Sequence, residues 1–364
     1  MIIMKLIIVL TFICLNFAGL LHAQKANIQL PEMTRTHSRG KINVPDIYGY
    51  KTLKCDFHMH TVFSDGIVWP DVRVSEAWEE GLDVISITDH IEGKYHEPFV
   101  SGSRNTSYEI ALPKAKELGI LLVKGAEITR SMPPGHLNVL FIQDIDKLMV
   151  PDAQEAIMEA DRQGAFIFWN HPCWTAQQPD SCIMFQIHKT LVKNKVMRGI
   201  EVFNEREWYP VALDWCIENN LSVIATSDIH VVNSHNYYLD RGHRPMTLVF
   251  AKDTTITALK EALFAGRTVA WFWKYVAGRE EFLSELFKKS ITKQKSGNPA
   301  KGETTVSLKN NSDFVFEITS LSDQGKKTTI NPAGMASIKV RHDEEFVVTN
   351  WFTGSERNLK VQLN

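Results

Sequence analysis

The sequence predicts an α/β fold on a mostly parallel sheet, followed by a smaller all-β module. Three observations carry this. Between about residue 52 and residue 271, short runs rich in Val, Ile, Leu and Phe alternate with longer amphipathic stretches. The amphipathic stretches close on Gly81, Gly119, Gly164, Asn220 and Gly266, residues suited to helix C-termini. Beyond Ser296-Gly297-Asn298-Pro299 the pattern changes to short strand-like runs separated by turn residues.

In chain order, residues 1–23 read as a secretory signal peptide. Lys5 precedes an apolar run from Leu6 to Leu21, and His22-Ala23 offers a small residue at the cleavage point. Ile13 rather than a small residue precedes Cys14, so no lipobox is evident. The expectation is a secreted or periplasmic protein beginning at Gln24, with no stable membrane insertion after cleavage. Residues 24–50 are polar, with Pro31, Gly40, Pro45 and Gly49, and read as an N-terminal linker.

The main domain spans 51–277. Its strand-like runs are 53–57, 84–88, 120–124, 137–142, 165–169, 199–203, 222–226, 247–251 and 268–271. Helical patterns at 70–81, 108–119, 152–164, 209–220 and 255–266 separate most of them. A barrel is the natural closed form of such a sheet. Residues 278–298 form a connection; within it 278–295 read as one amphipathic helix with Phe282, Leu283, Leu286 and Phe287 on one face. The module at 299–364 carries runs at 306–308, 314–319, 338–340, 346–349 and 359–363 and reads as a small β-sandwich.

Composition narrows the function. The 364 residues are 44% hydrophobic, too apolar for a disordered chain. Lys plus Arg number 40 against 42 Asp plus Glu, so no basic excess exists to hold long nucleic acid. Cleavage after Ala23 leaves Cys55, Cys173, Cys182 and Cys216. Cys173 and Cys182 are a candidate disulfide in an oxidising compartment; four buried free thiols are the alternative. Their spacing matches no zinc-finger pattern.

The chemistry lies at segment ends. His58 and His60 are two apart on a strand continuation, so both can face one metal. Asp65 follows. Asp89-His90, Glu127, Asn170-His171 and Asp228-Ile229-His230 each end a strand-like run, and His136 begins one. Strand ends on one rim of a parallel barrel are where active sites are built. The structural alternative needs six segments each to place a polar group there by accident. Imidazole and carboxylate without thiolate suit Mn, Fe or Zn.

This pattern resembles the PHP (polymerase and histidinol phosphatase) metallohydrolases over residues 50–275. The resemblance implies a distorted (β/α)7 barrel with about three divalent metals per chain. Asp65 stands where some members carry histidine. Gly125-Ala126-Glu127-Ile128-Thr129, Pro134-Gly135-His136, Arg244-Pro245-Met246-Thr247, the leader and the C-terminal module are similar to secreted Sb-PDE-type phosphodiesterases. By this resemblance one metal takes His58, His60, Glu127 and Asp228. A second takes Glu127, His136 and His171, with Glu127 bridging, and a third takes Asp65, His90 and His230. Asp228, His230 and Glu127 are the expected catalytic groups, acting with a metal-activated hydroxide.

Arg104, Arg130 and Arg244, in predicted loops or just before a strand, are candidate contacts to the substrate phosphate, as is Arg241. Trp69, Trp169, Trp174 and Trp208 are candidates for the mouth of the site. Residues 92–107 could form a lid or an irregular surface loop. The expected function is hydrolysis of a small phosphodiester. The alternatives are a phosphomonoesterase of the same family and a non-catalytic metal-binding scaffold.

Overall fold

A computed structural model describes residues 30, 33, 36–93, 95–296, 303–323, 325, 327–341 and 343–363. The leader expected at 1–23, and the break at Gly297-Asn298-Pro299, lie outside the described residues. The chain divides into two units, Met1–Ser38 and Arg39–Asn364. The sheets and the site belong to the second. No helix among the described residues is long and apolar enough to cross a membrane.

The first half of the main domain contains β1 (Lys51–Asp56), α1 (Pro70–Glu80), β2 (Val84–Ile87), α2 (Thr106–Leu118), β3 (Leu121–Thr129), β4 (His136–Leu140), α3 (Ala153–Arg162) and β5 (Phe166–Trp169). The second half contains α4 (Gln186–Lys193), β6 (Met197–Asn204), β7 (Glu207–Trp208), α5 (Pro210–Glu218), β8 (Ser222–Thr226), α6 (Asn233–Asn236), β9 (Met246–Ala251), α7 (Ile256–Phe264), β10 (Thr268–Phe272) and β11 (Tyr275–Gly278). Local chemistry explains the helix ends. Pro70 opens α1, and Gly81 closes it at φ 87°, a left-handed conformation that costs glycine least. The Asp152 carboxylate accepts from Glu155 N–H at 2.9 Å at the start of α3.

Strand pairing departs from the mostly parallel sheet the sequence predicts. The pairs β1–β2, β2–β3, β5–β6 and β6–β8 are parallel. The pairs β3–β4, β4–β5, β1–β9 and β9–β10 are antiparallel. The reversal of β4 matters for function. It brings His136, the first residue of β4, to the rim where β3 ends with Thr129.

The sheet curls so that β8 faces β9 and β10. Two threonine hydroxyls bridge this seam. Thr247 Oγ1 accepts from Ala225 N–H at 2.9 Å, and Thr268 Oγ1 accepts from Val223 N–H at 2.8 Å. Both threonines are buried. Phe57, Phe166, Phe168, Val249 and Leu259 are among the apolar side chains buried in this domain.

The helix expected over 278–295 is shorter. α8 (Glu280–Ser290) ends at Ser290, and Ile291–Ser296 form β12. Lys and Gln in that segment fit a helix locally, but backbone pairing to β13 (Glu303–Asn310) prevails. The remaining strands are β14 (Phe316–Ser320), β15 (Lys327–Ile330), β16 (Met335–Arg341), β17 (Glu345–Gly354) and β18 (Arg357–Gln362). β12, β13 and β16 make one sheet, whereas β15, β14, β17 and β18 continue the central sheet through parallel pairing of β17 with β11. Val306, Leu308, Phe314, Phe316, Val348 and Trp351 are buried in the core of this region.

Candidate metal centre

The nine sequence-predicted ligands converge. His58 and His60 lie just beyond β1, and Asp228 and His230 just beyond β8. Backbone bonds join the two segments: Asp228 N–H to His58 O at 2.9 Å and His60 N–H to Ile229 O at 3.0 Å. Ile67 N–H donates to His230 O at 2.9 Å, drawing in the loop that carries Asp65. His171 and Asp228 have φ of 27° and 47°. Neither is glycine, so backbone strain is held at two ligand positions.

Potential ligand atoms fall into three groups: His60, Asp65, His90 and His230; His58, His60 and Asp228; and Glu127, His136 and His171. Asp228 Oδ1 lies 3.1 Å from His58 Nε2 and 3.0 Å from His60 Nε2. Glu127 Oε2 is 3.4 Å from each of these imidazole nitrogens. Its other oxygen is 2.8 Å from His136 Nδ1 and 3.9 Å from His171 Nε2. Asp65 lies 3.2 Å from His230 Nε2 and 3.4 Å from His90 Nε2. Glu127 thus reaches toward two groups. His60 stands in two groups as well, a sharing the sequence did not indicate.

The donor set fits divalent cations. Among the described residues, His58 Nε2, His60 Nε2, Asp65 Oδ1, Glu127 Oε2, His136 Nδ1 and His171 Nδ1 are buried atoms without a well-formed hydrogen bond. Buried polar groups are seldom left so, because desolvation is costly. Protonation reflects the same crowding. Burial raises the Glu127 carboxyl, but His90 and His58 outweigh it and hold it well below the usual range. Asp228 is likewise depressed by His58 and His60 against the effect of burial. Burial is the largest influence on His60 and lowers it to about 4. His90, opposed by burial but close to Glu127 and Asp65, is raised to about 11. Cations would replace shared protons in such a cluster.

Several supporting residues were not found in the sequence. Glu201, buried in β6, accepts from His171 N–H at 2.6 Å and from Asn204 Nδ2 at 2.9 Å, and its Oε1 lies 2.8 Å from His58 Nδ1. The carboxylate therefore fixes which imidazole nitrogen of His58 faces the cluster. Asn170 Nδ2 donates to Glu127 at 3.0 Å. Arg73, wholly buried on α1, donates to His60 O at 3.0 Å, Ile229 O at 3.1 Å and Val231 O at 2.7 Å. It thereby ties both ligand segments together. A glutamate inside the apolar run at 199–203 is the signal that could have disclosed Glu201.

The cluster opens into a cavity of about 410 Å³. Tyr95, Thr129, Trp174, Asn204, Glu205 and Glu207 line it with the ligands. The four candidate phosphate-binding arginines, Arg104, Arg130, Arg241 and Arg244, are not in its wall. Arg244 is fully buried, with Asp56 at 3.1 Å and Glu80 at 2.6 Å. Those two carboxylates compensate its buried charge, which corrects the substrate-contact assignment. Arg130 is committed to Glu92 and to Val150 O. Arg104 donates to Gly93 O at 2.7 Å and lines a separate, smaller pocket. Of the tryptophans, Trp174 reaches the cavity. Trp169 is buried and stacks on His188 and Trp215, Trp208 stacks on Phe352, and Trp69 lies beside Phe63. From the segment 92–107, Tyr95 contributes to the wall. Cys173 is a disulfide half, bonded to Cys182 with Cα atoms 4.8 Å apart, whereas Cys55 and Cys216 are free and buried.

Fold and site together define a domain with a candidate metal centre at its strand ends. The chain is 40% identical to a two-domain protein from Bacteroides vulgatus ATCC 8482 containing a predicted PHP-like metal-dependent phosphoesterase. That match covers 90% of this chain and 99% of the other, with a TM-score of 0.86. The chain therefore belongs to the PHP-like metal-dependent phosphoesterase family. A 5'-3' exoribonuclease of Haemophilus influenzae is 32% identical over 89 residues, which is 24% of this chain and 28% of that protein. An amidohydrolase from Chromobacterium violaceum, solved with sulfate and no metal, is similar at 13% identity over 49% of this chain and 87% of its own. Its TM-score is 0.38. No protein-family model matches.

Proposed function

We propose that this phosphoesterase is a phosphodiesterase acting on small substrates outside the cytoplasm, within a distorted barrel closed along the β8 seam. The observation that carries the diester assignment is the charge of the cavity wall. Among the described residues, no lysine or arginine lines it. A monoester carries nearly two negative charges and gains from cationic side chains beyond the metals, whereas a diester carries one. The charge balance, 40 Lys plus Arg against 42 Asp plus Glu, also disfavours long nucleic acid.

About three divalent ions, of Mn, Zn or Fe, held by the nine ligands, would acidify water and neutralise charge on the phosphoryl oxygens. The protein's own groups do the rest. Glu127 spans two ligand groups and keeps them at a fixed separation. Asp228 Oδ1 lies toward His58 and His60, and Asn204 Nδ2 donates to Oδ2 at 3.3 Å, which supports assigning this carboxylate the proton of the attacking water. His230 Nδ1 lies 2.8 Å from Asp228 O, which turns Nε2 toward Asp65.

The Cys173–Cys182 disulfide supports export, because such bonds persist in oxidising compartments. Mass spectrometry of the native protein should then find Gln24 at its N-terminus; an intact Met1 would refute export. The substrate reading is tested on metal-reconstituted protein with bis(4-nitrophenyl) phosphate and 4-nitrophenyl phosphate. The diester should be at least about tenfold better in kcat/KM, equivalent to about 1.4 kcal/mol. Equal or faster monoester hydrolysis would overturn it.

A further inference from the structure

The outer wall of the cavity has a chemistry of its own. Glu205, in the turn between β6 and β7, and Glu207, the first residue of β7, line it and face the same space as Trp174 and Tyr95. Trp174 is 39% exposed and Tyr95 52%, so both present aromatic surface. Glu205 has φ 46°, a left-handed conformation that holds its side chain at the rim. Among the described residues its carboxylate has no hydrogen bond or ion pair, whereas Glu207 accepts from Tyr209 Oη–H. Arg206, between them, is exposed and is not part of the wall. Among the described residues lining the cavity, Glu205 and Glu207 are the carboxylates outside the ligand set, so the space beside them is poorly suited to a second anion. Carboxylates beside aromatic faces are suited to an alkylammonium group.

Resting on the phosphodiesterase reading, we infer that the cavity selects phosphodiesters in which one alcohol carries an ammonium group, with Glu205 and Glu207 as specificity-determining residues. The metal ligands take the phosphate; the glutamates, Trp174 and Tyr95 take the cation.

The test compares two isosteric aryl diesters, 4-nitrophenyl phosphocholine and 4-nitrophenyl 3,3-dimethylbutyl phosphate, which differ by the charge on one atom. Metal-loaded wild type should favour the cationic ester by about tenfold in kcat/KM. Glu205→Gln and Glu207→Gln together should reduce that ratio to within about threefold, mainly through KM, with metal content unchanged by elemental analysis. A wild-type ratio near one, or a ratio the double variant leaves intact, overturns the inference. So does a double variant that loses metal or loses kcat equally on both esters, since the glutamates would then serve the metals or the leaving group. Failure of wild type to cleave either ester would instead count against the phosphodiesterase reading itself.

Discussion

Glu127 and Glu201 show how differently two buried glutamates can act. Glu127 presents its oxygens to imidazoles of more than one ligand group, so Glu127→Gln removes charge the groups share. It should lose at least one metal equivalent and lower kcat about a hundredfold or more. Elemental analysis with steady-state kinetics checks both. Glu201 does not itself line the cavity; it holds His58 through Nδ1 and the His171 backbone through N–H. Glu201→Gln should weaken metal affinity about 10- to 100-fold while kcat at saturating metal falls less. A metal titration followed by activity separates the two. The ligands were legible because histidine and carboxylate recur at the ends of apolar runs. Glu201 and Arg73 were not, because their partners lie far away in sequence. Arg244 was misread for the same reason: its loop position suits a phosphate contact, but Asp56 lies 188 positions away.

At the scale of elements, β1 to β6 and β8 to β10 fall on the predicted runs, whereas β7, β11, β12 and β15 were not predicted and β4 and β9 run against the expected parallel order. The β3–β4 connection, residues 130–135, is too short for a parallel crossover, so reversal of β4 was available to sequence reasoning. The reversal of β9 was not, since the long connection after β8 permits either direction. The seam between β8 and β9 depends on side-chain hydroxyls. Thr247→Val should leave Ala225 N–H without that partner in a buried setting, at a cost of about 1–3 kcal/mol. Urea unfolding measures it, and a loss below the error of the method would show that the seam contributes nothing.

At the scale of the molecule, stability should depend on pH through histidines outside the metal cluster. Burial lowers His188, which stacks on Trp169, to about 4, and lowers His243, beside Trp271, to about 4. Both are held neutral in the fold, whereas an unfolded histidine titrates near about 6.5. Their contribution is complete above that value and is lost as pH falls toward about 4, by at most roughly 3 kcal/mol each. Melting temperature between about pH 7.5 and pH 5 should therefore fall less steeply in His243→Asn than in wild type. Equal slopes would show that His243 is not buried neutral.

We propose that the nine converging side chains form a multinuclear centre on which hydrolysis depends. Titration of metal-free protein with Mn, followed by elemental analysis and by aryl phosphodiester hydrolysis on the same samples, tests it most directly. Metal should rise to about three equivalents per chain, with activity appearing as the later equivalents bind. A plateau near one equivalent, or full hydrolysis in chelated protein, would contradict it.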